Sequence, residues 1–234
     1  MTQVHGSRTD VLGNGYLLTP FFNNATFGGT RDQAENTTFK MTAKSHVPGL
    51  GDSSMSFGGF WAGDIDEADQ ILQAALGAGD GIFSYFPATQ DVVGNLAYSL
   101  QAFETAYDIT NPVGGMAGIS AAVAAGQGAG IEHGVVSHPL AQENALGNGA
   151  TVDSGIVGGS LNGGSLVIHI INANNLAVFL QDSADGVTFA DLPGSLAVAA
   201  GRSSLRLGIA GTIRRYTRVR WTGTGQFAAV TNRK

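Results

Sequence analysis

Residues 30–77 read TRDQAENTTFKMTAKSHVPGLGDSSMSFGGFWAGDIDEADQILQAALG. In the second half of this stretch, the apolar side chains of Met55, Phe57 and Trp61 alternate with small or polar residues. A period of two places large side chains on one face of a strand, so we predict a half-buried β-strand here. Strand, long loop, strand, turn and helix follow one another, and the rest of the chain is expected to complete the same sheet.

The helix that ends this stretch has both start and stop signals. Asp64 stands three residues before Glu67, which is the spacing of a capping box, and Gly77 is placed to end the helix. Small and aliphatic residues recur between them at helical spacing, namely Ala68, Ile71, Leu72, Ala75 and Leu76. We predict an amphipathic helix of about three turns that covers one face of a curved sheet.

Residues 40–52 are predicted to form a long loop between two strands. The loop carries Lys40, Lys44, His46 and Pro48 together with two glycines. Loops of this length without structure of their own are usually functional or disordered. Two interpretations stay open: an arm that reaches a neighbouring molecule, and a mobile surface loop.

Composition favours a mainly β protein that meets other proteins. The 234 residues include 35 glycines, with 43% hydrophobic and only 13% charged residues. Such a glycine content without a low-complexity repeat is typical of many short strands joined by turns. The low charge predicts that much of the surface contacts other copies, because soluble monomers normally rely on surface charge.

Several classes of site are excluded or not expected. The chain has no cysteine, so disulfides and thiolate zinc sites are impossible. We expect no signal peptide, because MTQVHGSRTD lacks an apolar core, and no spanning segment, because no apolar run reaches about 18 residues.

Charge is divided unevenly along the chain. Residues 1–139 carry four basic and thirteen acidic residues, whereas the remainder carries eight basic and five acidic ones. A break of this size predicts two domains. We expect a first β domain over residues 1–140, a linker over 141–152 and a small C-terminal β-sandwich over 153–234. The first 20 residues are expected to form an arm that becomes ordered on assembly.

Further strands follow from β-rich runs between turns. In the first domain they are predicted at 21–27 and 37–40, joined by a polar turn at 28–36, and at 81–86. Residues 95–111 approach helix spacing, but their aromatic and β-branched content favours a strand. In the second domain short strands are predicted at 165–171, 176–183, 203–210, 214–221 and 227–233.

The run RRYTRVRW at 214–221 predicts a basic face. Arg214, Arg218 and Arg220 fall on one side of this strand, opposite Val219 and Trp221. Three interpretations of this face stay open: a solvated outer surface, contact with protein or cell-surface polymers, and nucleic-acid binding.

No group of residues predicts catalysis, a metal or a cofactor. The glycine-rich pieces at 77–81 and 126–130 lack dinucleotide spacing, and no phosphate loop follows them. His133 and His138 are five apart, which places them on opposite faces of a strand. The acids at 64–69 suit a helix N-terminus, and those at 182–185 are interpreted as turn residues rather than a calcium loop.

Short motifs in a fixed order carry a resemblance. They are TRDQAENTTF at 30–39, KSHVPGL at 44–50, FWAG at 60–63, AALG at 74–77, YDITNPVG at 107–114 and GVVSHP at 134–139. In this order they resemble the major tail tube proteins of long-tailed, siphovirus-like bacteriophages. QDSADGVTFAD at 181–191 and RRYTRVRW at 214–221 are similar to the β-sandwich appended to some of these proteins.

The resemblance implies a structural virion protein and not an enzyme. It implies a tail-tube-type β-sandwich or barrel with one covering helix, whose copies form stacked hexameric rings that conduct DNA during genome ejection. Implied partners are further copies, the tape measure, tail terminator and tail tip proteins, and DNA in transient passage, with no membrane. The implied location is the phage tail of the virion, after assembly in the host cytoplasm.

The resemblance also implies roles for single residues. Lys40, Lys44, His46 and Pro48 would contact the next ring, whereas Arg214, Arg218 and Arg220 would lie on the tube exterior. If the first domain holds every assembly element, deletion of residues 150–234 is expected to leave tube formation intact. The alternatives are a capsid decoration or other tail protein, a carbohydrate-binding module on the second sandwich, and an enzyme that uses His133 or His138.

Overall fold

The computed structural model describes residues 6–126 and 130–234. Residues 1–5, which belong to the predicted N-terminal arm, and residues 127–129 of the glycine-rich piece at 126–130 lie outside this part. The chain divides into two compact units. The first unit comprises Met1–Pro20, Gly81–Ser99 and Glu132–Lys234, and the second unit comprises Phe21–Asp80 and Leu100–Ile131.

The fold is mainly β, as the sequence predicts. In chain order the described elements are β1 Asp10–Gly13, β2 Tyr16–Leu17, β3 Phe22–Glu35, β4 His46–Phe60, α1 Ala68–Ala75, β5 Gly81–Phe86, β6 Leu96–Thr110, β7 Gly118–Ala125, β8 Ile131–Glu143, β9 Gly147–Asn148, β10 Val152–Asp153, β11 Gly164–Ser183, β12 Ala190–Asp191, β13 Leu196–Ala200, β14 Ser203–Ile209 and β15 Tyr216–Arg233. Among these elements, no helix is long and apolar enough to cross a membrane.

The second unit is built on an antiparallel sheet in the order β3, β4, β7, β6. Met55 and Phe57 are buried on one face of β4, which confirms the predicted alternation. Trp61, predicted on the same face, is 44% exposed. The prediction was wrong there because β4 ends at Phe60 and the Trp61 ring turns back over the backbone of Gly63.

Helix α1 is present but shorter than predicted. It has eight residues and buries Ala68, Ile71 and Leu72. The predicted capping box was wrong, because the helix starts at Ala68 with Glu67 as its N-cap and without a side-chain cap bond. The Glu67 carboxylate instead accepts the backbone N–H of Asp64 at 3.0 Å in the turn before the helix. The helix ends at Ala75 because the next residue is already extended, with ψ of 117°.

Strands β3 and β4 form a hairpin that is much longer than the sequence predicts. The predicted turn at 28–36 and strand at 37–40 are wrong, since β3 continues to Glu35 and pairs there with His46. The predicted loop at 40–52 is likewise strand from His46 onward. Every residue from 28 to 35 is exposed, so both faces of β3 are polar and the period-two signal of a half-buried strand is missing.

In the first unit, one long ribbon of β11 and β15 replaces four predicted short strands. The two strands pair along their length, from Gly164 with Arg233 to Ser183 with Tyr216. Register shifts at residues 170–177 bend the ribbon. The polar residues NANN at 172–175 occupy this bend, which made one bent strand look like two strands and a turn.

Both faces of this ribbon are buried. Leu166, Ile168 and Phe227 belong to one hydrophobic core with β13, β14 and Trp221. Val167 and Val230 point to the other face and belong to a second core. That second core is completed by residues from the early part of the chain: Leu12, Ile82, Phe86, Ala97 and Val136.

The compact units therefore do not follow the linear boundary predicted near residue 140. The predicted N-terminal arm is instead structured from Asp10 onward, with Val11 and Leu12 buried. Strand β8 runs through Pro139 to Glu143, so the predicted linker at 141–152 begins inside a strand. The functional division of the chain, into a tube part before the linker and an exterior part after it, remains a prediction.

Candidate functional site

The β3–β4 hairpin forms an exposed arm, and the four residues proposed for ring stacking lie on it. Lys40 and Lys44 lie in the loop that closes the hairpin, His46 is the first residue of β4, and Pro48 stands opposite Gln33. All four are exposed. Pro48 adjoins a register shift in the ladder, which is a position that tolerates the missing N–H. Their role in stacking remains a prediction.

Contacts within the arm are few and exposed. The Lys44 ammonium lies 3.2 Å from the Glu35 carboxylate, and the Arg31 guanidinium donates to the carbonyl of Gly49 at 3.1 Å. Exposed ion pairs of this kind stabilise by about 1 kcal/mol or less. The arm therefore keeps its shape through the strand ladder rather than through side-chain packing.

The outward face of the sheet in the second unit carries mostly small side chains on β3, β4 and β7, and its rows continue on β6 with Phe103, Ala106 and the acid Asp108. Ser56 pairs with Thr26 on one side and with Ala122 on the other, so the three side chains share that face. The neighbouring rows consist of Ser54 with Gly28 and Ala124, and of Gly58 with Asn24 and Ser120. No lysine or arginine occurs in these three rows, so this part of the sheet offers no cation to a phosphate.

Strand β3 is an open edge of the sheet. In the described part of the chain it pairs only with β4. It has 14 residues and contains neither lysine nor proline. Long edges without these residues present unpaired N–H and C=O groups to other chains. The edge of β3 is therefore a template for a strand from another molecule.

The opposite face of this sheet holds a buried carboxylate. Glu104 lies on β6 opposite the buried Val123, and its backbone bridges to Leu76 at the end of α1. Glu104 is 6% exposed, and neither carboxylate oxygen has a hydrogen-bond partner among residues 6–126 and 130–234. Nearby, the Tyr107 hydroxyl donates to Asp69 of α1. Burial raises the pKa of Glu104 to about 7.

Glu104→Gln is expected to remove a pH dependence of stability. The raised pKa of Glu104 means that the folded protein holds a proton that the unfolded chain releases above its usual pKa of 4.5. The contribution of Glu104 to the free energy of unfolding is therefore fully present below pH 4.5 and is lost as the pH rises through about 7. We expect the wild-type protein to lose about 2 kcal/mol relative to the variant between pH 5 and 8.

Urea unfolding at both pH values measures this difference. Asp108→Asn on the same strand is the control, because Asp108 is exposed and its removal should leave the pH dependence unchanged. A wild-type protein and Glu104→Gln variant with parallel pH profiles would contradict the prediction.

The arginines proposed for an exterior basic face are largely neutralised within the first unit. The pairs are Arg214 with Asp182, Arg218 with Gln181 and Arg220 with Asp191, at closest N–O distances of 2.6, 2.7 and 2.7 Å. Two of these guanidinium groups also lie over rings, Arg218 over Phe189 and Arg220 over Phe179. Arg214 and Arg220 are thus neutralised by carboxylates, whereas Arg218 donates to a neutral amide and keeps its positive charge. The place of this face on a tube exterior remains a prediction.

The two histidines considered for chemistry lie apart. His133 is exposed and its ring contacts Tyr98 edge-on, whereas His138 is buried against Phe227 and Trp221. Burial lowers the pKa of His138. Over residues 6–126 and 130–234, no group of three or more potential ligands could hold a metal ion. Asp185 caps the turn after β11, as predicted, by accepting the N–H groups of Val187 and Thr188.

Two buried acids were missed by sequence reasoning. Glu104 lacks a partner, and Glu132 is held by Arg206 at 2.6 and 2.7 Å with a further bond from Ser165 at 2.9 Å. A faint signal existed for Glu104, since it alternates with Ala102 and Ala106 inside a strand of apolar and small residues. None existed for Glu132, because its partners are 33 and 74 residues away.

Of the known proteins compared with this chain, only solved structures show a similarity to it. No protein-family model matches the chain, and no curated protein matches it. The virion of a native gene transfer agent particle is similar over 56% of this chain and 98% of that chain, at 11% identity and a TM-score of 0.44. The tail tube of phage SPP1 is similar over 53% and 76%, at 14% identity and a TM-score of 0.44.

One further structure is similar over nearly the whole chain. The SPP1 Dit protein, described as a hub adsorption apparatus of phages that infect Gram-positive bacteria, covers 97% of this chain and 99% of its own, at 8% identity and a TM-score of 0.39. Since all three TM-scores lie below 0.5, we draw nothing on function from these likenesses.

Proposed function

We propose that this chain is a structural virion protein of a bacteriophage tail, a major tail tube subunit that assembles in the host cytoplasm. Copies form hexameric rings, and the rings stack into a conduit for DNA during genome ejection. One observation carries the proposal: the open edge of β3 borders an outward sheet face that has no lysine or arginine in its paired rows. The resemblance to tail tube proteins comes from short motifs that follow one another in a fixed order within residues 15–139.

The open edge supports ring formation. An unpaired strand of 14 residues is a liability in a monomer, because it pairs with any compatible chain. A ring removes the liability if each copy extends the sheet of its neighbour, since a head-to-tail contact that closes leaves no free edge. The sheets of successive copies then form one continuous wall.

The outward face suits the inside of that wall. Each lysine or arginine that neutralises a phosphate adds salt-dependent affinity for DNA through counterion release. The rows around Ser56 contain no lysine or arginine, and where they continue on β6 their only charged side chain is the acid Asp108. DNA that passes such a surface meets no cation that would retain it. The excess of acids over bases in residues 1–139 acts in the same direction.

The arm and the basic face take their roles from the same proposal. The arm with Lys40, Lys44, His46 and Pro48 reaches the next ring, and the tied arginines Arg214, Arg218 and Arg220 face outward. The tape measure, tail terminator and tail tip proteins are the remaining partners. Residues 153–234 supply the exterior part of the subunit.

Electron microscopy of the purified full-length protein, before and after concentration, tests the proposal. We expect stacked rings with a central channel. If concentration alone gives none, the same sample is imaged after tail initiator complexes are added. Compact single particles under both conditions would contradict the proposal and favour a capsid decoration protein or a carbohydrate-binding module.

A further inference from the structure

The second unit exposes two apolar surfaces, one near each end of β4. We call the first the arm tip; it consists of the exposed residues Phe39, Met41, Val47 and Leu50 together with Lys40 and Lys44. We call the second the basal patch; it consists of Phe60, Trp61, Ile65, Val113 and Met116 together with Asp64 and Asp66.

The basal patch is formed by two loops that lie side by side. Phe60 pairs with Gly118, and the backbone N–H of Trp61 donates to the carbonyl of Ala117 at 3.0 Å. The loop after Trp61 closes through a bond from the N–H of Asp69 to the carbonyl of Ala62. Residues 61–67 and 111–117 therefore present their apolar side chains at the same end of the sheet.

Each of the two surfaces exposes several apolar side chains together, rather than a single one. Phe39 and Val113 are fully exposed, and Leu50 and Ile65 are each 83% exposed. Single exposed apolar residues are ordinary, but clusters rimmed by charge mark contact sites. Each surface is such a cluster.

The charges of the two surfaces are opposite. Residues 36–50 carry two lysines and a histidine and no acid, and Lys44 pairs with the adjacent Glu35 at 3.2 Å, which leaves Lys40 as the lysine without an acid in this segment. Residues 61–67 carry three acids and no base, and residues 111–117 carry no charge. Contact between two arm tips would bring lysines together, and contact between two basal patches would bring acids together. Charge complementarity therefore favours arm tip against basal patch and opposes each self-contact.

The two surfaces cannot meet within one chain. Strand β4 has 15 residues, which corresponds to a contour length of about 45 Å at the usual rise per residue. The arm tip lies before and at the start of this strand, and the basal patch lies at and after its end. A contact between them must join different copies, and because it joins unlike surfaces it can repeat head to tail.

We propose that the arm tip of one copy docks on the basal patch of a second copy of this chain. The apolar side chains of the two surfaces pack together, while Lys40 and Lys44 face the acids of residues 61–67. The inference rests on the proposed function, because this contact is what stacks one ring on the next. It adds the receiving surface and the polarity of the stack.

Cysteine cross-linking in the full-length chain tests the contact. The natural chain has no cysteine, so Phe39→Cys with Ile65→Cys introduces the only pair. Under oxidation we expect an open-ended ladder of cross-linked chains on a non-reducing gel, because each copy carries both halves of the contact. The two single-cysteine variants are the controls and should give no ladder. A double variant that forms no ladder would overturn the proposal.

A mixing experiment tests the polarity. Phe39→Asp and Ile65→Asp should each keep the fold and raise the concentration needed for stacking by about tenfold or more. The control Val187→Asp, at a residue that is 81% exposed in the first unit, should stack normally. Mixed Phe39→Asp and Ile65→Asp rings should form pairs of rings and nothing longer, since only one of the two contacts per ring remains intact.

The outcomes separate this inference from the proposed function. If the wild-type protein forms tubes and both aspartate variants form them equally well, the docking contact is wrong and the tube proposal stands. If the wild-type protein never forms rings but the double-cysteine ladder appears, the contact stands and the tube proposal fails. If neither appears, both are wrong.

Discussion

Deletion of residues 150–234 is expected to unfold what remains of the first unit. The deletion removes β11 and β15, and with them Val167, Ala228 and Val230 of the second core. The residues left behind are Leu12, Ile82, Phe86, Ala97 and Val136, all at most 7% exposed in the full chain. Strand β8 also loses one of its two neighbours, since it pairs with β15 from Gly134 to Glu143 and keeps only β6.

The expected loss is as large as the stability of an ordinary domain. Each large apolar side chain that returns to water costs about 1.5–3 kcal/mol. Four large side chains and one alanine therefore lose on the order of 10 kcal/mol, which is comparable with the whole free energy of unfolding of a typical domain. The remnant of the first unit cannot stay folded at that cost.

Hydrogen exchange of residues 1–149 against the full-length protein measures the effect. We expect protection to vanish in Gly81–Phe86 and in β8. A matched control shortens the chain elsewhere: Asn36 and Ser45 are joined by Asn-Gly in place of residues 37–44, which keeps a hairpin turn and should leave protection in the first unit unchanged.

This expectation reverses the one drawn from the sequence. There, tube formation was expected to survive loss of residues 150–234, because the first domain was expected to hold every ring and stacking element. A truncated chain that retains native exchange protection in β5 and β8 would contradict the structural argument and restore the linear division.

Arg206→Met is expected to destabilise the first unit by about 3–5 kcal/mol. Arg206 donates two bonds, at 2.6 and 2.7 Å, to the Glu132 carboxylate, whose side chain is only 5% exposed. Burial alone would raise the pKa of Glu132, but the bonds from Arg206 and Ser165 outweigh it and hold this pKa below its usual value. Without Arg206, an ionised carboxylate stays buried with one hydroxyl donor, Ser165, and with the exposed Lys234 ammonium 3.9 Å away as its nearest cation.

The effect has a pH signature. In the wild-type protein the lowered pKa of Glu132 gives stability that is present above its unfolded pKa of 4.5 and lost as the pH falls through the folded value. In the variant the pKa of Glu132 should rise, so the variant should gain stability relative to the wild-type protein between pH 7 and 5. Urea unfolding at these two values measures both effects.

Arg215→Met is the matched control. Arg215 also makes a two-bond pair, with Asp153 at 2.7 Å for both bonds, but both side chains are more than a third exposed. Solvent screens such a pair, so its loss should change stability far less. Equal losses for the two variants would show that burial does not govern these pairs.

The sequence by itself determined the local elements that alternate in polarity or have clear end signals. Met55 and Phe57 were assigned to a buried face because a half-buried strand repeats every two residues. Alternation also assigned the strand Gly81–Phe86 and the buried side of Thr217, Val219 and Trp221. Helical spacing assigned the buried face of α1. The opposite faces predicted for His133 and His138 were wrong, because a register shift of β8 against β15 lies between the two residues and interrupts the alternation.

Tertiary structure alone decided what depends on partners distant in sequence. The arm is exposed on both faces, so its strands have no hydrophobic period, and only the ladder from Phe22 to Glu35 reveals them. Glu132 and Arg206 are 74 residues apart, so no local sequence pattern predicts that they form a pair. Segments from the first hundred residues pack against the ribbon of β11 and β15, because the face that carries Val167 and Val230 is apolar and has to be buried. A change in composition near residue 140 does not indicate which segments bury it. Local pattern fixes which way a side chain points, whereas the identity of the surface that it meets is set by chain segments far away.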